Sequence, residues 1–152
     1  MSLHDDLMHL ALAEAEKASA KGEVPVGAVI AIGNTVVASA HNLRETTGDP
    51  TAHAEVLAIR AAAEKLGRRR LNDCTLYVTL EPCPMCAGAM VMACMGSCFF
   101  GAKDTKQGCA ESVFSLTREP AFYHNTPCYG GLQEEACAAL LDDFFRSKRT
   151  NR

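Results

Sequence analysis

Two short elements carry residue types that bind metal and move protons. His53 and Glu55 form an H-x-E element, and 30 residues after His53 the pair Cys83 and Cys86 forms a P-C-x-x-C element. Zinc takes imidazole and thiolate ligands, and a catalytic zinc site uses three protein ligands and leaves the fourth position to water. His53, Cys83 and Cys86 therefore predict a catalytic zinc site. Glu55 lies beside it without being needed as a ligand.

The chemistry expected of such a site is hydrolysis. Zinc lowers the pKa of its water towards neutrality, so the water becomes a nucleophile. Glu55 can take a proton from this water and return it to a leaving amine. Pro84 suits the first position of a helix, which places Cys83 at the N-cap and Cys86 near the third position. The positive helix end then favours thiolate over thiol.

Other uses of the cysteines remain open. A C-x-x-C pair alone is also typical of a structural zinc knuckle or a redox pair, but a structural site needs four protein ligands. No second histidine or cysteine has the matching short spacing. Four further cysteines could form a second zinc site, although buried free thiols are the commoner use; they are Cys94, Cys98, Cys109 and Cys128.

The elements that must position these residues alternate between helix and strand. Hydrophobic periodicity and turn residues predict the following segments. They are a helix over 5–20, a hairpin of 24–32 and 35–40, a loop over 42–50, a helix over 51–66, a strand over 75–80, a helix over 85–95, a strand over 97–102 and a helix over 133–148; residues 103–130 show no clear pattern. This order predicts an α/β domain with helices on both faces of a sheet and some parallel pairing.

Length and composition limit the classes of function. The chain has 152 residues, 48% of them apolar, which predicts one domain over residues 1–152. No segment reaches the roughly 18 apolar residues of a membrane span. Residues 1–6 carry acids where a secretory signal carries bases, so we expect a cytoplasmic protein. The net charge of -3 argues against coating nucleic acid by bulk charge, so any RNA contact must come from a local basic patch.

The two elements together resemble the signature of the zinc nucleobase deaminases. The resemblance extends over nearly the whole chain to the bacterial tRNA-specific adenosine deaminases. The matching stretches are 22–28, 41–44, 49–55, 76–90, 100–104 and 136–146. The resemblance implies a cytidine deaminase-like three-layer sandwich, with a five-stranded mixed sheet and helices on both faces. It also implies Zn²⁺ as cofactor, a homodimer, and conversion of adenosine to inosine at the wobble position of the tRNA anticodon loop.

The same resemblance assigns roles to individual residues. Asn42 is expected to hydrogen-bond the flipped base, Ala54 to offer its backbone N–H to the base edge, Val26 to form an apolar wall, and Asp104 to lie beside the ribose. Contacts to the anticodon loop are expected from Arg44, Arg70, Lys106, Phe145 and Arg149. The chain departs from the family pattern at Cys94, where an arginine is common, and at 123–125, where Asn-His-Arg is common.

Two alternative functions stay open from the residues alone. One is a deaminase of the same fold that acts on a free base or nucleoside, such as guanine or cytosine. The other is a zinc-stabilised binding module without catalysis, against which Glu55 argues because a structural site has no use for a carboxylate there. Asn42 could equally be a turn former. The very apolar segment 85–95 is a further reason to expect a homodimer.

Overall fold

The computed structural model describes residues 2–150, with side chains as far as Lys148. Its elements in chain order are α1 (Leu3–Ala20), β1 (Gly27–Ile32), β2 (Thr35–His41), α2 (Arg44–Thr47), α3 (Ala54–Leu66), β3 (Thr75–Leu80), α4 (Pro84–Met92), β4 (Ser97–Ala102), a 3-10 helix (Leu116–Arg118), β5 (Cys128–Tyr129) and α5 (Glu134–Thr150). In this part of the chain no helix is both long enough and apolar enough to cross a membrane.

The five strands form one mixed sheet in the order β2-β1-β3-β4-β5. β1 pairs antiparallel with both β2 and β3, whereas β3, β4 and β5 run parallel. Parallel neighbours need a crossover connection, and α4 supplies it between β3 and β4. The predicted five-stranded sheet with some parallel pairing is therefore confirmed.

Helices cover both faces of this sheet. α1 packs on β1, β2 and β3 and meets α5, whereas α3 packs on β1 and β2 and meets α4. All residues of β1 from Gly27 to Ala31 are buried. Since successive side chains of a strand point to opposite faces of the sheet, both faces are covered here. Gly27 lies where α1 comes closest, because a Cβ there would collide with the carbonyl oxygen of Ala11 and the amide nitrogen of Ala15. The predicted three-layer sandwich is confirmed.

A few local predictions differ from the structure. The helix expected over 85–95 ends at Met92, and Cys94 takes a φ of 54°, in the left-handed region. The helix expected from residue 51 begins at Ala54. The stretch 42–50, expected to be a loop, contains the short helix α2, and the unassigned stretch 103–130 contains the 3-10 helix and β5.

Strand directions bring distant parts of the chain to one end of the sheet. β3 and β4 are parallel, so the residues that follow them, beginning at Glu81 and Lys103, leave at the same end. β1 runs the other way, so Val26, which precedes it, lies at that end as well. Asn42 follows β2 and donates its backbone N–H to the Val26 carbonyl at 3.2 Å. Ligands of α/β sheets commonly bind outside the carboxyl ends of the strands.

Candidate active site

The three predicted metal ligands lie at the starts of two helices. His53 is the N-cap of α3 and Cys83 is the N-cap of α4, with Pro84 in the first helical position and Cys86 in the first turn. Backbone N–H groups at a helix start are unpaired within the helix and carry partial positive charge. Two such ends therefore favour negative charge on the thiols, as the sequence predicted.

The ligand atoms form a compact triangle. Nδ1 of His53 lies 3.6 Å from Sγ of Cys83 and 3.5 Å from Sγ of Cys86. In a tetrahedral zinc site with ordinary bond lengths, a nitrogen and a sulfur ligand lie about 3.6 Å apart. The two distances therefore fit an ion of zinc's size. Over residues 2–150, this is the one group of three such side chains whose ligand atoms come this close together.

The three groups also polarise one another. A hydrogen bond from Cys86 lowers the pKa of the Cys83 thiol to about 4, against the opposing effect of burial and with further help from His53. Donating that bond raises the pKa of Cys86. The bond between His53 and Cys83 raises the pKa of the imidazole. The cluster thus favours the thiolate form of Cys83, which is the form that binds metal.

Glu55 lies beside the triangle and outside it. The side chain is only 4% exposed, and it lines the same cavity as His53 and Cys83. Burial raises the pKa of Glu55 to about 7; the nearby Cys83 acts in the same direction, whereas its own backbone N–H and His53 lower it. A carboxyl group with a pKa near neutrality can both accept and donate a proton in the working pH range.

Four of the residues assigned to substrate line this cavity, which measures about 650 Å³: they are Val26, Asn42, Arg44 and Asp104. Asn42 is held on both sides. Its Nδ2 donates to the Val24 carbonyl at 3.2 Å, and its Oδ1 accepts the backbone N–H of Ala54 at 2.8 Å. Asn42 therefore ties the segment before β1 to the first turn of α3, and the Ala54 N–H is paired with it.

The other predicted contacts that the structure describes are not among the residues that line this cavity. Lys106 is exposed and donates its backbone N–H to Oδ1 of Asp104 at 3.0 Å. Arg70 is exposed beyond α3, and Phe145 is 45% exposed on α5; neither lines the cavity. The side chain of Arg149 lies outside the described residues. The structure thus brings three expected base and ribose contacts, Val26, Asn42 and Asp104, together with one expected loop contact, Arg44, whereas Arg70, Lys106 and Phe145 do not line the cavity.

Two buried glutamates in the cavity wall were not predicted as site residues. Glu23 accepts the backbone N–H groups of Glu45 and Thr46 and the Thr46 hydroxyl. Glu81 accepts four backbone N–H groups and one hydroxyl from residues 104–112. Both are only 1% exposed. In the sequence, each is a single acidic residue beside an apolar segment. Such residues are also common at ordinary surface positions, so the pattern does not identify a site residue.

Several other histidines and cysteines have structural partners. Nδ1 of His41 lies 2.6 Å from Oε2 of Glu14, and Nε2 of His124 lies 2.9 Å from the Met95 carbonyl oxygen. Cysteines outside the triangle are buried free thiols, as expected for packing residues: Cys74, Cys94, Cys98, Cys109, Cys128 and Cys137.

Comparison with known proteins places this arrangement in a family. The family model of the MafB19-like deaminases matches residues 2–149. A tRNA-specific adenosine deaminase of Bacillus subtilis strain 168 is 49% identical over 142 residues, which are 93% of this chain and 88% of that protein. The chain belongs to the tRNA-specific adenosine deaminases, within the MafB19-like deaminase family.

Solved structures of deaminases share the fold. One, from a study of A-to-I editing by tRNA:A34 deaminases at the wobble position of transfer RNA, is 43% identical with a TM-score of 0.86, covering 90% of this chain and 99% of that one. A guanine deaminase from Bacillus subtilis is 34% identical with a TM-score of 0.65, covering 99% of this chain and 95% of that one. Deaminases named for different purines therefore share the overall fold of this chain.

Proposed function

We propose that this protein hydrolyses the adenosine at the wobble position of tRNA to inosine. The observation that carries the proposal is the triangle of His53, Cys83 and Cys86 with Glu55 beside it, in a cavity that also presents Asn42. Enzyme relatives named for this activity, similar over nearly the whole chain, support the choice of substrate. A binding module without catalysis gives no reason for a buried carboxylate at this position.

Zn²⁺ is the metal we assign to the triangle. One imidazole and two thiolates are ligands that zinc accepts, and the nitrogen–sulfur distances of 3.5 and 3.6 Å fit its bond lengths. When bound, zinc supplies a Lewis acid that lowers the pKa of water. Three protein ligands rather than four are typical of a catalytic zinc site.

Glu55 moves the protons in the proposed reaction. The oxygen of water bonds to purine C6, and the bond between C6 and its amino nitrogen breaks. Of the two protons of the water, one leaves with the ammonia and the other ends on purine N1. The Glu55 carboxylate takes a proton at its Oε and delivers it to the departing nitrogen, which its position in the cavity wall permits.

The cavity wall supplies the substrate contacts in this proposal. Val26 packs on the extruded base, Asp104 meets the ribose, and Asn42 meets the base edge after exchanging one of its two bonds to Val24 and Ala54. The anticodon loop then lies over the cavity, where Arg44 is exposed, and reaches the exposed Lys106. We extend these loop contacts to Arg70, Phe145 and Arg149. Single-stranded loops allow a nucleotide to be splayed out at low cost.

Guanine is the second candidate substrate, because the guanine deaminase of Bacillus subtilis shares both sequence and fold with this chain. A panel of substrates distinguishes the two. Ammonia release should be measured with an anticodon stem-loop carrying adenosine at the wobble position, with the same stem-loop carrying guanosine there, and with free adenosine, guanine and cytosine. We expect turnover of the first substrate alone. Faster turnover of guanine than of the stem-loop would replace the tRNA proposal with the second candidate.

A second copy of the chain is the partner that we propose beside tRNA. Within the monomer the apolar residues of α4 are mostly buried, except for Met92, which is 70% exposed. The Tyr123 hydroxyl donates to the Met92 carbonyl at 3.2 Å. Phe122 and Tyr123 are adjacent exposed aromatic residues, and we expect them to be covered together with Met92 in a homodimer. We also infer that the enzyme works in the cytoplasm, where tRNA is its substrate.

A further inference from the structure

Glu81 is a buried carboxylate whose two oxygens are both taken up by one segment of the chain. Oε1 accepts the backbone N–H of Asp104 at 3.0 Å and the hydroxyl of Ser112 at 2.5 Å. Oε2 accepts the backbone N–H groups of Ala110, Glu111 and Ser112 at 3.2, 2.8 and 2.8 Å. Five donors converge on one side chain that is 1% exposed. Such charge-assisted bonds are about twice as strong as neutral ones.

The segment that Glu81 holds, residues 104–112, forms one wall of the cavity through Asp104 and Gln107. The Cys109 backbone N–H donates to the Pro82 carbonyl at 2.8 Å, which is a second bond between this segment and the chain just before Cys83. Gly108 packs directly on the Glu81 carboxyl group, so that an added Cβ would collide with it. The segment has little regular structure of its own, and Glu81 supplies most of its anchoring.

Resting on the proposed function, we propose that Glu81 is a positioning residue, which fixes the 104–112 segment so that Asp104 meets the ribose of the target nucleotide in one orientation. Its own oxygens are already paired, so it does not act on substrate. Asp104 is oriented at two points. Its backbone is held by Glu81, and its Oδ1 accepts the N–H groups of Lys106 and Gln107 at 3.0 Å each.

Glu81→Gln tests this role while keeping the side-chain volume. The amide replaces one oxygen with an NH₂ group, which must face N–H donors in either orientation, so part of the segment loses its partner. We expect the KM for the anticodon stem-loop to rise about ten-fold, the size of a lost hydrogen bond to a charged group. We expect kcat to stay within about two-fold and zinc content to stay unchanged, because none of the five hydrogen bonds to Glu81 involves a metal ligand or Glu55. Glu16→Gln, at an exposed position on α1, is the matched control and should change neither constant.

A double-mutant cycle with Asp104→Ala separates positioning from general stabilisation. If Glu81 acts through Asp104, the double variant should be little worse than Asp104→Ala alone, because residues that share one interaction are not additive. Additive losses in KM, or a loss of zinc in Glu81→Gln, would overturn the proposal. Should Glu81→Gln fail to fold, Ser112→Ala can replace it, because it removes only the hydroxyl donor, at an exposed position. The KM for the stem-loop should then rise a few-fold. An unchanged KM in Ser112→Ala would also overturn the proposal.

Hydrogen exchange gives a readout that does not need substrate. The amides of residues 110–112 should exchange faster in Glu81→Gln than in wild type, while the amides of α3 keep their protection. Equal exchange rates at 110–112 would contradict the anchoring itself. If wild type does not deaminate the stem-loop, the proposed function fails, and the exchange experiment still decides whether Glu81 holds the segment.

Discussion

The sharpest prediction concerns Glu55→Gln. Glutamine keeps the volume and polarity of the buried side chain, which is 4% exposed, but it cannot accept a proton and release it again. The metal triangle does not include Glu55, since its ligand atoms come from His53, Cys83 and Cys86. We therefore expect the folded protein to keep its zinc and lose turnover.

The size of the loss follows from the neighbours of Glu55. Removing a general acid/base typically costs about 100- to 10,000-fold in rate. Another carboxylate could replace part of this function only if it were available in the cavity. Glu23 and Glu81 are tied up in hydrogen bonds to the backbone, and Oδ1 of Asp104 accepts two N–H groups. We therefore expect the upper part of the range, about 1,000- to 10,000-fold in kcat, or about 4 to 5.5 kcal/mol of barrier height.

Single-turnover kinetics on the anticodon stem-loop, with zinc measured on the same samples, is the suitable assay. Glu64→Gln provides the matched control, because Glu64 lies exposed on the same helix, α3. A kcat within about ten-fold of wild type, with zinc retained, would remove Glu55 from proton transfer. Loss of zinc in Glu55→Gln and not in Glu64→Gln would make Glu55 part of the metal site instead.

Four further predictions concern metal, acid stability, assembly and RNA binding. Elemental analysis should find about one zinc per chain, falling sharply in Cys83→Ser; a value near two would restore the second zinc site. Burial alone would raise the pKa of Glu23, but its hydrogen bonds to Thr46 and Glu45 outweigh burial and lower the pKa below the usual 4.5. The ionised Glu23 therefore stabilises the fold above pH 4.5, and this stabilisation is lost as the pH falls through the lowered pKa. Glu23→Gln should therefore be less stable than wild type at pH 7 in denaturant melts, with a difference that shrinks below about pH 4.5; a constant difference would contradict this. Sedimentation should find a dimer for wild type and for Leu10→Glu, whose side chain is exposed on α1, but a monomer for Met92→Glu; a wild-type monomer would refute the dimer. Removing residues 146–152 should raise the KM for the stem-loop and flatten its salt dependence, since fewer counterions are released; unchanged values would exclude the tail from the RNA site.

The metal ligands could be found from the sequence because their geometry is local. Cys83 and Cys86 are an N-cap and a first-turn residue of one helix, and Pro84 between them marks where that helix begins. The H-x-E element places Glu55 in the first turn of α3 in the same way. Residues this close in sequence can be placed on one helix without knowledge of any long-range contact. The layers could be predicted for a similar reason, since each helix or strand shows its own hydrophobic periodicity in the sequence.

The wall of the cavity could not be predicted in this way. Glu23 and Glu81 matter because their oxygens meet backbone N–H groups more than twenty residues away in the chain, and no local pattern announces such a pairing. Residues 103–130 gave no periodicity because much of this stretch is held by single hydrogen bonds to the rest of the protein. One example is the Thr126 hydroxyl, which donates to the Met95 carbonyl at 2.9 Å.

Isotope labelling of the product tests the central claim most directly. The anticodon stem-loop with adenosine at the wobble position should be incubated with the zinc-loaded protein in heavy-oxygen water, and the product nucleosides analysed by mass spectrometry. Hydrolytic deamination predicts inosine at the wobble position alone, carrying one heavy oxygen atom, with one ammonia released for each inosine formed. Unchanged adenosine at that position, under conditions where the protein holds its zinc, would contradict the account.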